Sequence, residues 1–148
     1  MKQYYTLFLN STNSTNRTGT APQFTYNINW DSILPRDLIN KKFEVSFNFS
    51  SLVVAAAFTE IYTINVNFGT TNVYNQTPSQ SGFLGFLYPY MTSANAYFAM
   101  ANVSDNSSVV VSYPSNRSIT VTIGNANLAS ATVNITDYIL TLQFTPID

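Results

Sequence analysis

The residues able to do chemistry are few. The carboxylates are Asp31, Asp37, Glu44, Glu60, Asp105, Asp137 and Asp148, and the chain has no Cys and no His. That composition removes disulfide frameworks, thiolate and imidazole metal sites, and every nucleophilic mechanism that needs a histidine base. A carboxylate pair is what remains for acid–base work. A glycosidase sets two of them across one bond, about 5 to 10 Å apart. Glu44 and Glu60 are the pair that neighbouring strands could bring together. Each also stands where the polar face of a strand is expected, and nothing beside either is of a kind that would split their proton affinities. The favoured reading is a solvated strand face.

Other candidates reduce in the same way. Ser104-Asp105-Asn106 has the order of an element found in penicillin-binding enzymes, without its Ser-x-x-Lys partner, so a polar loop accounts for it. Gly82-Phe83-Leu84-Gly85 lacks the G-x-x-x-x-G-K-[ST] pattern and positive charge of a phosphate loop. Asp105, Asn106 and loop carbonyls could offer oxygen ligands to calcium, but EF-hand spacing is absent. Trp30, Tyr88 and Tyr90 could stack on sugar rings. Trp30, however, ends an alternating run whose other members read as core, whereas Tyr88-Pro89-Tyr90 follows Gly breakers and reads as a loop. The expectation is no catalytic residue, no cofactor and no metal.

The 148 residues suit one domain, residues 1–148. Only 9% of them are charged, against a usual share of about 25%. Neutral polar residues take their place: 18 Asn, 16 Ser and 18 Thr fill over a third of the chain. An aromatic share of 15% with a net charge of −1 excludes disorder by composition. The six basic residues are scattered, with Lys41-Lys42 the one adjacent pair. Affinity for nucleic acid grows with the number of phosphates neutralised, so direct nucleic-acid binding is not expected. Low net charge also leaves weak self-repulsion and permits dense packing against neighbours. The N-terminal apolar run is short and broken by Thr6, so it reads as a strand and not a secretory signal. No stretch reaches the roughly 20 apolar residues of a transmembrane helix. Nine Asn-x-Ser/Thr sequons occur, a number that an Asn, Ser and Thr-rich chain produces by chance.

Periodicity of two dominates. Phe24, Tyr26, Ile28 and Trp30 alternate with polar residues, as do Phe43, Val45, Phe47 and Phe49. The same alternation holds for Ile64, Val66 and Phe68, for Ile119, Val121 and Ile123, and for Tyr138, Leu140, Leu142 and Phe144. Successive strand side chains point to opposite faces, so each run offers one apolar face. Tyr4 to Leu9 and Val109 to Tyr113 are more continuous and fit strands covered on both faces or carrying an interface on the second. Ser11 to Pro22 reads as a low-complexity loop, and Pro114-Ser115-Asn116 as a connection of hairpin length. Asp31 to Lys42 reads as a short connecting helix limited by Pro35. The predicted fold is all-β: an antiparallel β-sandwich of about eight strands, a single jelly roll with one short connecting helix.

Two apolar stretches exceed what such a sandwich needs. Leu52, Val53, Val54 and Phe58 lie in a run without alternation. Phe83, Leu84, Phe86, Leu87, Tyr88, Tyr90, Met91, Tyr97, Phe98 and Met100 crowd a second. Both read as long connections between strands. Apolar, aromatic-rich, charge-poor loops mark interaction surfaces. The alternative is that they fold back and plug the ends of the sandwich. These residues are the candidate protein interface.

The strand Gln23-Phe24-Thr25-Tyr26-Asn27-Ile28-Asn29-Trp30, the Ile64 to Gly69 strand and turn, the Gly82 to Pro89 segment and the terminal strand Asp137 to Pro146 together resemble the small single jelly-roll structural proteins of icosahedral double-stranded DNA viruses. The likeness runs over most of the chain in character and rests on no specific motif. It implies a non-enzymatic minor capsid, penton or cement protein in the virion, with capsid proteins or further copies of itself as partners. A carbohydrate-binding module or lectin is the second reading, motivated by Asn-rich loops and exposed aromatics. A hydrolase using Glu44 and Glu60 is the third.

Overall fold

The computed structural model describes residues 3–12, 17–20, 23–54, 62–68, 83–87, 97–100, 108–125 and 135–147. Ten strands stand among them: β1 (Tyr5–Asn10), β2 (Arg17–Thr20), β3 (Gln23–Asn27), β4 (Lys42–Val54), β5 (Tyr62–Asn67), β6 (Phe83–Leu87), β7 (Tyr97–Met100), β8 (Ser108–Ser112), β9 (Ser118–Asn125) and β10 (Ile135–Ile147). Every pairing is antiparallel. The alternating runs supply the central strands. Val, Ile, Phe and Tyr suit a pleated, half-buried surface, and the polar residues between them take the other face.

One sheet has the order β1-β10-β4-β7, with β8 also on β4. β8 pairs Lys42 to Ser46 and β7 pairs Phe49 to Val53, so both lie along one edge of β4 and act as a single interrupted strand. The other sheet runs β2-β3-β9-β5-β6. The molecule is therefore an all-antiparallel β-sandwich, as the alternation predicts. Leu7, Leu9, Phe43, Val45, Phe47, Val111, Tyr138, Leu140, Leu142 and Phe144 face inward from the first sheet. Phe24, Tyr26, Ile64, Val66, Leu84, Ile119, Val121 and Ile123 meet them from the second.

Four local expectations change. The segment after Trp30 is not one helix but two 3-10 turns, Trp30–Ser32 and Arg36–Leu38. Pro35 sits between them in extended geometry, φ −61° and ψ 141°, and its ring disfavours helical geometry at the preceding Leu34, so the first turn does not continue into the second. The Ser11 to Pro22 segment contains β2, which pairs with β3. Gly19 allows this by taking φ 95°, and a Cβ there would meet the Gln23 carbonyl oxygen at 2.7 Å. Pro114 to Asn116 does not close a hairpin, because β8 belongs to the first sheet and β9 to the second. Of the two readings for β1, cover on both faces does not hold within the chain and an interface on the second face stays open: Leu7 and Leu9 are buried while Phe8 is 70% exposed.

One end of the sandwich is closed by aromatic rings. Phe144 lies 5.6 Å from Trp30, 5.8 Å from Phe68 and 6.3 Å from Phe43, each close to edge-to-face. Such geometry sets ring edges against the electron-rich faces and adds to the gain from burial. The Trp30 indole N–H donates to the Asn116 carbonyl at 2.8 Å, and the Tyr113 hydroxyl donates to that of Leu34 at 3.0 Å. These two bonds fasten the β3–β4 connection to the β8–β9 crossover.

Candidate functional site

The residues expected to form apolar loops are largely in strands. Leu52, Val53 and Val54 end β4; Phe83, Leu84, Phe86 and Leu87 belong to β6; Tyr97, Phe98 and Met100 belong to β7. Reading both stretches as connections is thereby corrected for these positions. The physical reason is that backbone N–H and C=O groups in an apolar segment need partners, and a sheet edge supplies them. The two stretches also meet: Leu52 pairs with Phe98 and Val53 with Tyr97. Leu84 is 2% exposed and belongs to the core. Phe58, Tyr88, Tyr90 and Met91 lie outside the described residues.

The other candidates sort as follows. Glu44 is exposed on the outer face of β4, and Glu60, Ser104, Asp105 and Asn106 lie outside the described residues. Trp30 is buried, with both its ring and its N–H engaged, so the proposed sugar-stacking role has no accessible face. Among the described residues, no group of three or more acidic side chains could hold a metal ion.

The outer faces are chemically unusual. On the second sheet, the outward side chains of β3 and β9 are Gln23, Thr25 and Asn27 and Ser118, Thr120 and Thr122, and β5 adds Asn65 and Asn67. Thr25 and Thr120 face each other with hydroxyls 3.0 Å apart. None of these side chains carries charge. The first sheet shows Thr6, Phe8, Ile139, Thr141, Gln143, Ser46 and Asn48, with charge at Lys42, Glu44 and Asp137 among the described outward positions of β1, β4 and β10.

A polar cluster that the sequence did not announce lies where β1 ends against β10. Ser11 is 0% exposed. Its hydroxyl donates to Asp137 Oδ1 at 2.8 Å and accepts the Tyr138 N–H at 2.8 Å. The Ser11 N–H donates to the Tyr138 carbonyl at 3.0 Å. Arg17 donates through Nε to the Ser11 carbonyl and stacks its guanidinium 4.2 Å above the Phe24 ring. Deeper in, the Tyr26 hydroxyl donates to that of Tyr138 at 3.0 Å. Burial pushes both phenol pKa values up. A serine beside a carboxylate with no intervening base is a poor nucleophile. The cluster ties the 11–20 segment to the sandwich. Only the neighbouring Asp could have hinted at it, and Asp137 is 126 positions away in sequence. Ser11→Ala is expected to cost about 1–3 kcal/mol of stability, since it strips the buried Tyr138 N–H of its acceptor; urea unfolding measures this.

Two surface grooves are lined by described residues. One, of about 470 Å³, runs between β1 and the segment from Tyr26 to Ile33. The other, of about 480 Å³, lies at the aromatic-capped end between Asp31, Arg36, Ile39 and Tyr113. There Arg36 grips Asp31 through two bonds of 2.7 and 3.1 Å. The guanidinium lowers the Asp31 pKa, but the pair stands in solvent and adds little to stability. Neither groove gathers two carboxylates. Comparison with protein-family models, curated proteins and solved structures found no match.

Proposed function

We propose that this chain is a non-enzymatic structural subunit of a viral particle, a minor capsid, penton or cement protein of jelly-roll type. The observation that carries the reading is the strand order. Setting β2 aside as an added edge strand on β3, and counting β7–β8 as one interrupted strand, leaves eight rows. The first row then lies beside the last, the last beside the third, and the third beside the sixth. In the facing sheet the second lies beside the seventh, the seventh beside the fourth, and the fourth beside the fifth. That interleaving is how a jelly roll wraps its two Greek keys, an architecture shared by capsid and lectin domains. Strand order alone therefore leaves function open.

Surface chemistry favours the particle. The uncharged Thr, Asn, Ser and Gln face of the second sheet can be brought against a neighbour with no ionic desolvation cost. Among the described residues β7, which pairs the apolar end of β4, is the outer strand of the first sheet on that side, where a neighbouring subunit can add. Mass spectrometry of purified particles is the test. The chain is expected as a particle component present in fewer copies than the main shell protein. Particles complete without it would overturn the proposal.

A further inference from the structure

We propose that β1 is a self-association strand, pairing antiparallel with β1 of a second copy about a two-fold axis at Phe8. Among the described residues β1 pairs with β10 alone, so its other edge carries no strand. The orientation of that edge follows from the register. The Ser11 N–H donates to Tyr138, and residue pairs along β1 and β10 keep one constant register down to Tyr5 and Phe144. In an antiparallel ladder alternate residues turn both backbone groups to the same neighbour. Tyr5, Leu7 and Leu9 therefore bond β10, and Thr6, Phe8 and Asn10 turn their N–H and C=O groups to the open edge.

Natural edge strands are protected by charge, Pro, bulges or a covering element. Residues 4–12 have no charged residue and no Pro, and the β1–β10 register has no bulge. The groove of about 470 Å³ keeps the wall formed by Asn27, Ile28 and Asn29 back from the strand, which leaves room for an incoming neighbour. Tyr4 and Phe8, 58% and 70% exposed, are two of the three large exposed apolar side chains among the described residues, and both belong to this edge.

Charge argues for a second copy as the occupant. A neutral edge selects an equally neutral strand, and β1 supplies one whose residues complement themselves. With Phe8 opposite Phe8 of the second copy, Thr6 meets Asn10 on the outer face. On the inner side Leu7 meets Leu9. Every outward N–H and C=O then finds a partner, apolar faces apolar, and polar faces polar. A register shifted by two sets Phe8 against Thr6 or Asn10 and loses this match. The net charge of −1 opposes the approach only weakly. The contact is one strand wide, below the roughly 1,200 Å² of a stable interface, so a reversible dimer with Kd on the order of 10 μM is expected. The inference does not depend on the particle reading, because it concerns the purified chain.

Sedimentation velocity on the full chain from about 1 to about 200 μM tests it. The wild type should pass from monomer to dimer. Phe8→Lys should stay monomeric throughout, with unchanged circular dichroism. So should Thr6→Pro, since that change removes an N–H that β10 does not use. Asn48→Lys, on the outer face of β4, should dimerise like the wild type. Paired Phe8 Cα atoms would stand about 5.5 Å apart, within disulfide reach. Phe8→Cys, in a chain without other cysteines and with oxidised glutathione as the electron acceptor, should therefore give a covalent dimer. A wild type that remains monomeric overturns the inference. So does a dimer that persists in both Phe8→Lys and Thr6→Pro.

Discussion

Replacing Phe144 by alanine is expected to destabilise the fold by about 3–5 kcal/mol, in the upper range for a buried aromatic. The ring is 0% exposed and touches three others, Trp30, Phe43 and Phe68, drawn from three separate parts of the chain. Removing it forfeits the transfer energy of the side chain and leaves a void. The neighbours cannot fill that void, because Trp30 is pinned by its bond to Asn116. Against a typical total of about 5–15 kcal/mol, this is a large share. Trp30 is the only tryptophan and packs on Phe144, so its emission in a urea titration reports the loss directly. Phe144→Leu, which keeps most of the volume, should cost markedly less. A loss below about 1 kcal/mol for Phe144→Ala would show that the ring is not packed as described.

The second large effect is alkaline unfolding. Tyr26 and Tyr138 are buried, and burial is the leading cause that raises both pKa values above the usual 10.0. In the unfolded chain each phenol loses its proton near pH 10, while the folded chain holds it. The unfolded state then binds fewer protons, and stability falls as pH rises. The stabilising contribution is complete below about pH 10 and is lost progressively above it, at up to about 1.4 kcal/mol per pH unit for each tyrosine. The phenolate absorbance owed to Tyr26 and Tyr138, read as the part lost in Tyr26→Phe and Tyr138→Phe, should rise together with the change in Trp30 emission, because these two rings ionise only when the core opens. Tyr138→Phe should make the alkaline limb less steep, with Tyr26 and the raised phenol of Tyr113 left to drive it. It should also cost about 1 kcal/mol near neutral pH, because the Tyr26 hydroxyl loses its acceptor. Ionisation of both buried phenols with Trp30 emission unchanged would contradict the burial.

The strands were legible wherever apolar and polar residues alternate. Phe43 to Phe47 and Tyr138 to Phe144 bury every second side chain, as a half-buried sheet demands. Pattern was silent where pairing made the strand. Arg17 to Thr20 has no apolar alternation and is a strand only because β3 offers it a partner and Gly19 the needed backbone angle. Continuous apolar runs were ambiguous for a related reason. Leu52-Val53-Val54 satisfies an apolar loop and a paired strand equally well until β7 and β10 are placed on either side.

The candidate sites divide along the same line. Composition alone removed cysteine, histidine and clustered basic chemistry from consideration. It could not place Ser11 against Asp137, because hydrogen bonds across 126 positions follow from the way the sheets wrap. The alternation of Phe24, Tyr26 and Ile28 already marked Trp30 as core, but nothing in the sequence could tell that Phe8 sits on an edge strand with its backbone groups open.

Amino-acid order by itself determined the all-β class, the inward residues of the central strands and the low charge of the surface, because these depend on local alternation and on residue type. Tertiary structure decided which strands are neighbours, which edges stay open and which polar groups are sealed inside. Those outcomes are fixed by long-range backbone pairing, and the free energy of pairing two strands belongs to the pair and is written in neither one alone.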